Sequence, residues 1–103
     1  MRYRLSPLAE EDLREIWLYV ADDTSESAAD RLIDAIVERF ELLAEQPRIG
    51  RRRPEFGEGV RSVSVENHVI YYRDESEPLI ARVLHGRRDQ RAAWDAGDRN
   101  PTI

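Results

Sequence analysis

Five side chains in the second half of this 103-residue chain are of types that could cut a phosphodiester without a metal: Arg61, Tyr72, His85, Arg87 and Arg88. That reaction needs a base for the ribose 2′-OH proton, an acid for the leaving oxygen, and cations for the charge of the phosphorane. Arg61 and Arg87 would clamp phosphate through their planar forks, and His85 could serve as acid or base near neutral pH. Each residue also has a plainer use. His85 would end a strand with a hydrogen bond to backbone. Arg61 would pair with Glu58 or with an acid of the N-terminal half, and Tyr71 and Tyr72, facing opposite sides of one strand, would fill core space. The plainer uses carry more weight, so no catalytic residue is assigned; a ribonuclease would draw on Arg61, His85 and Arg87. His68 reads as an exposed turn residue and Trp17 as core between helix and sheet.

Other chemistries lack their residues. Cysteine is absent, which removes disulfides and thiolate metal sites, and two histidines without a helical pair make no zinc site. No metal and no cofactor is expected. A second cluster, Arg48, Arg51, Arg52 and Arg53, reads as a solvated loop balancing the acidic half or as a docking surface for carboxylates. Charge is divided along the chain. Residues 1–47 hold 12 acids and 5 arginines, and residues 48–103 hold 9 acids and 11 arginines. All 16 basic residues are arginine, and the net charge of −5 works against general attraction to nucleic acid. The N-terminus carries no apolar export segment, and no stretch approaches the ~20 apolar residues of a membrane span, so a cytoplasmic protein is expected.

The elements that must position these residues follow from periodicity. Arg2 to Leu5 alternates like a short strand. Ser6-Pro7 reads as an N-cap with proline at the first helical position, followed by Ala9, Leu13, Ile16, Trp17 and Val20 on one helical face. Thr24 to Ser27 begins a second helix whose stripe runs Ala29, Leu32, Ile33, Ile36, Phe40, Leu43 and ends near Glu45, before Pro47. Residues 46–59 have no period and read as a long loop. The period then becomes two: a strand at Arg61–Val65, a turn at Asn67-His68, a strand at Val69–Arg73 and another at Leu79–His85. The order β-α-α-β-β-β predicts an α+β fold with the helical hairpin on one face of an antiparallel sheet. One domain spans 1–94, and 95–103 reads as a flexible tail.

Several of these segments resemble the RelE/ParE superfamily of bacterial toxins, its ParE branch in particular. The resemblance lies in Leu5-Ser6-Pro7, Asp12-Leu13, Ile16-Trp17, and Leu43 to Gly50, which is similar to a Leu-x-x-x-Pro-x-x-Gly turn. It continues through Val60-Arg61-Ser62, Val69 to Arg73 and Arg82 to Asp89, and covers about nine tenths of the chain. It implies the same β-α-α-β-β-β fold and a plasmid-stabilisation type of toxin encoded beside an antitoxin that neutralises it. Two activities divide the superfamily. RelE-type members are ribosome-dependent endoribonucleases, and ParE-type members inhibit DNA gyrase without being enzymes. The lysines that many RelE-type ribonucleases use have no counterpart here, which favours the gyrase inhibitor. A detoxified, partner-binding relative is the third alternative.

Two surfaces follow as expectations. With helices on one face only, Val63, Val65, Ile70, Tyr72, Ile80 and Leu84 would leave an apolar sheet face for an amphipathic antitoxin segment, in a hetero-oligomer that reaches DNA only through the antitoxin. Arg87, Arg88, Arg91 and Trp94 would bind the target, Arg and Trp being types that often carry interface energy.

Overall fold

The computed structural model describes residues 2–98. Strand β1 (Arg4–Leu5) leads into helices α1 (Pro7–Asp23) and α2 (Glu26–Glu45). Strand β2 (Arg51–Arg52) and a 3-10 turn (Pro54–Phe56) follow. Strands β3 (Val60–Val65), β4 (His68–Arg73) and β5 (Leu79–His85) come next, and helix α3 (Gln90–Asp98) is last. The five strands form one sheet in the order β1-β5-β4-β3-β2.

Local chemistry sets the helix starts. The Ser6 hydroxyl accepts the Ala9 N–H at 3.0 Å ahead of Pro7, and the Ser25 hydroxyl accepts the Ala28 N–H at 3.0 Å. The second cap is thus Ser25, within the Thr24 to Ser27 start. Ala9 from α1 and Ile36, Phe40 and Leu43 from α2 bury themselves against Val65, Ile70, Tyr72, Ile80 and Val83 of the sheet. Trp17 stays outside this core: it is partly exposed and donates its indole N–H to Asp30 at 2.8 Å, tying the two helices near their connection.

The α+β layering stands, with several departures from the sequence reading. The sheet is mixed, because β1 pairs with β5 in parallel (Arg4 opposite Leu79, Leu5 opposite Ile80) while its other pairs are antiparallel. The 46–59 loop holds β2 and the 3-10 turn. The β3–β4 turn is Glu66-Asn67, one residue earlier than expected, with Val65 opposite His68 and Glu66 at φ 52°. Helix α3 crosses the boundary drawn at residue 94 and continues through Asp98; the rest of the expected tail, 99–103, lies outside the described residues.

The second face of the sheet is covered as well. Phe56 from the 3-10 turn and Ala93 and Trp94 from α3 pack on Val60, Tyr71 and Leu84. Ring centroids of Phe56, Tyr71 and Trp94 lie 4.9 to 5.8 Å apart, the spacing of favourable aromatic pairs. The residues assigned to an antitoxin are therefore interior, Leu84 on this face and the other five on the face under the helices. Val65, Ile70, Tyr72, Ile80 and Leu84 are all buried, and Val63 is half-buried against the helical core. A strand pattern shows that a face is apolar without showing which element will cover it.

One buried ion pair joins three elements. The Arg82 guanidinium donates to both Asp12 oxygens at 2.8 and 2.9 Å and to the Ala93 carbonyl at 3.0 Å. Asp12 also accepts the Val83 N–H at 2.9 Å. Strand β1 covers β5 only at Leu79 and Ile80, so α1 continues along the remaining edge and its carboxylate takes an edge N–H that would otherwise be unpaired.

Candidate partner-binding site

The first group of candidate residues gathers at the end of the sheet where β4 begins and β5 ends. Antiparallel pairing sets His68 opposite His85, with ring centroids 5.0 Å apart and the planes edge to face. Against them α1 lays Glu15, Ile16, Tyr19 and Val20, and the space between is a cleft of about 550 Å³ whose rim also carries Arg87 and Arg88. A second hollow of about 480 Å³ lies beyond the Glu66-Asn67 turn and shares His68, His85 and Arg87.

The two histidines are unlike. His68 is 7% exposed, so its expected place on an exposed turn is corrected; moving the turn one residue earlier puts it on the first rung of β4, facing the helices. Its Nδ1 is buried with no hydrogen-bond partner among the described residues. Burial, and next the proximity of His85, push the His68 pKa below the usual imidazole range, with Glu66 opposing. His85 is exposed, and its Nδ1 accepts the Arg87 N–H at 3.0 Å. The neutral ring must then carry its proton on Nε2.

Arg61 stands elsewhere. It lies opposite Tyr72, four rungs along β4 from the His68–His85 pair, about 13 Å at ~3.3 Å per residue. Its guanidinium is engaged with Asp74 at 3.0 Å and with the carbonyls of Gly50 and Arg48 at 2.9 and 3.2 Å. Its partner is Asp74, not Glu58, whose carbonyl accepts from Arg73 instead. Tyr72 belongs to the same joint: its hydroxyl donates to Pro47 O at 2.7 Å and accepts the Gly50 N–H at 2.9 Å. A Cβ on Gly50 would fall into the Tyr72 ring, which explains a glycine three residues after Pro47. The structure therefore separates Arg61 from His85 and Arg87 and uses Arg61 and Tyr72 to hold a loop.

The C-terminal group also divides. Arg87 and Arg88 are exposed at the cleft; Arg91 is exposed on α3, paired with Asp95 at 3.4 Å and lying over the Phe56 ring at 5.8 Å. Trp94, expected to face a target, is 8% exposed and packed among Phe56 and Tyr71, which removes it from any surface. Of the other arginine cluster, Arg48, Arg51 and Arg52 are exposed. Arg53 instead stacks over Phe56 and Tyr71 at 5.1 and 5.4 Å and bonds Glu55 and Ser62. The sequence reading missed Glu15 and Tyr19 as walls of the cleft. Tyr19 is 70% exposed, and the signal was an aromatic on the polar side of α1.

Among the described residues no three His, Asp or Glu side chains stand where they could hold a metal ion, and no helix is long and apolar enough to cross a membrane.

Residues 3–90 match the family described as the ParE toxin of the type II toxin–antitoxin system, parDE. Toxin ParE1 of Mycobacterium tuberculosis is 37% identical over 90 residues, covering 85% of this chain and 92% of that protein. Toxin ParE1 of Caulobacter vibrioides is 37% identical over 93 residues, covering 87% and 94%. Among solved structures, one from the chromosomal ParDE toxin–antitoxin system of P. aeruginosa shares the fold. Its TM-score is 0.71 at 23% identity, over 82% of this chain and 95% of that one.

Proposed function

We propose that this chain, which belongs to the ParE toxin family of type II toxin–antitoxin systems, acts in the cytoplasm by binding and inhibiting DNA gyrase. In this reading it is held inactive in a hetero-oligomer with its cognate antitoxin and meets DNA only through that partner. The observation that supports inhibition over RNA cleavage is the position of Arg61. A cleavage site built on Arg61, His85 and Arg87 needs all three within a few ångströms of one phosphate. Arg61 sits about 13 Å along the sheet from His85 and spends its donors on Asp74 and two loop carbonyls. The exposed arginines Arg87, Arg88 and Arg91 are the residues proposed to meet the target.

The test is a pair of assays on the purified toxin. It should block supercoiling by gyrase, or trap gyrase on cleaved DNA, and leave ribosome-bound messenger RNA whole. Codon-dependent cleavage of that RNA, with gyrase unaffected, would reverse the assignment and return His85 and Arg87 to a catalytic role.

A further inference from the structure

We infer that the cleft between α1 and the His68–His85 pair receives an acidic, aliphatic segment of the antitoxin, with a carboxylate seated on His85, Arg87 and Arg88. This rests on the antitoxin reading above and names the place and chemistry of docking. One wall is rich in donors, beside Asn67. Arg87 and Arg88 are exposed guanidinium groups, and His85, its Nδ1 occupied by the Arg87 N–H, presents an Nε2–H even when neutral. The Nδ1 of His68 is buried there without a partner among the described residues, which is uncommon for a buried polar atom. The opposite wall sets Ile16, Val20 and Leu32 among Glu15, Tyr19 and Asp12, whose carboxylate is already held by Arg82.

This lining selects between two oxyanions. A phosphate backbone would bring repeated negative charge against Glu15 and an N-terminal half that already holds 12 acids against 5 arginines. A peptide brings one carboxylate to the arginines and an aliphatic side chain to Ile16, Val20 and Leu32. At about 550 Å³ the cleft has room for both. Seating the segment there would cover Arg87 and Arg88, so neutralisation would be direct masking of residues proposed to meet the target.

The test titrates the toxin with the protein encoded by the adjacent reading frame, by calorimetry and by stopped flow at two salt concentrations. The double variant Arg87→Glu/Arg88→Glu should bind about 10- to 100-fold more weakly, with slower association and less salt dependence. Its thermal midpoint should match the parent, because both side chains are exposed. His85→Phe should weaken binding and His85→Gln, which keeps an N–H in reach, should restore most of it. The His68 ring resonances should shift on saturation as Nδ1 gains a neighbour. Unchanged affinity of the double variant beside tight binding by the parent would overturn the inference and leave the antitoxin reading intact. Absence of any binding by the parent would remove that reading itself. A short single-stranded DNA probe separates the rival occupant: loss of DNA affinity with antitoxin affinity kept would assign the cleft to phosphate and sink the carboxylate proposal.

Discussion

Replacing Asp12 by alanine removes the carboxylate on which α1, β5 and α3 converge. Asp12 and Arg82 side chains are 4% and 9% exposed, so the guanidinium left behind cannot turn to water. Stranding a buried charge in this way costs about 3–5 kcal/mol. The Val83 N–H loses its acceptor too, at about 1–3 kcal/mol if water does not reach it. A total of about 4–8 kcal/mol compares with the ~5–15 kcal/mol that separates a small domain from its unfolded state. Asp12→Ala should therefore be barely folded at 37 °C, with a midpoint lowered by more than about 15 °C. Arg82→Met should be similarly damaging, since it strands the carboxylate. The double variant should recover most of the loss, because an apolar pair of like volume is often no worse than an ion pair in the same place. Urea unfolding of the four proteins closes a double-mutant cycle with a coupling energy above about 2 kcal/mol. If either single variant cost less than ~1 kcal/mol, or the two effects simply added, the joint would not be carrying the load assigned to it.

Other perturbations address the remaining contacts. Gly50→Ala drives a methyl into the Tyr72 ring and should cost about 1–3 kcal/mol in chemical unfolding, whereas Ile49→Ala, on an exposed side chain, should cost little. Trp94→Ala empties the space between Phe56 and Tyr71 and should lower stability by about 3–5 kcal/mol, so ending the chain after Asp89 should unfold the protein rather than silence it; a truncated protein with an unchanged midpoint would contradict the packing. His68 has a folded-state pKa below its usual 6.5, so the unfolded chain binds more protons between the two values. Its share of stability is full above 6.5 and is lost as pH falls from there through the folded value, and the difference in unfolding free energy between parent and His68→Phe should change with that sign. Glu66→Gly, at φ 52°, should raise the midpoint by relieving a left-handed residue at about 1 kcal/mol; a lower midpoint would show that the turn does not feel the strain.

What could be seen in the sequence was what repeats. Ser6-Pro7 and the stripe from Ala29 to Leu43 mark both helices, and the alternation through Val63 and Val65 and in Leu79–His85 marks strands, because a side-chain period follows directly from backbone geometry. Elements too short to have a period escaped: β2 is two residues and becomes a strand only by pairing with Arg61 and Ser62. Helix α3 escaped because Ala93 and Trp94, the buried ones among its described side chains, are adjacent and trace no stripe. The same limit misplaced the site. Arg61, His85 and Arg87 share residue types that suit one reaction, but the register that sets Arg61 against Tyr72 and His85 against His68 is a long-range fact. Arg82 and Asp12 lie 70 positions apart, and neither stands out by type in a chain with 16 arginines.

Burial on both sides of the Arg87-Arg88 pair explains how a loop at the end of a sheet can present a defined surface. Upstream the chain is fixed by Arg82 and Leu84, and downstream by Ala93 and Trp94. Between them the Gly86 N–H reaches Asn67 O at 2.7 Å, the Arg88 N–H reaches His85 O at 3.0 Å, and the Arg87 N–H is held by the His85 ring. A Cβ on Gly86 would stand 3.3 Å from Asn67 O, so the glycine permits this close approach to the neighbouring turn. The exposed arginines thus ride on backbone whose donors are already engaged, and a partner that binds them orders side chains alone. Each immobilised long side chain costs about 0.5–1.5 kcal/mol, while ordering a free loop would add about 1–2 kcal/mol for every residue of backbone. The buried joints that look purely structural are therefore part of what would let so small a surface bind in the way proposed above.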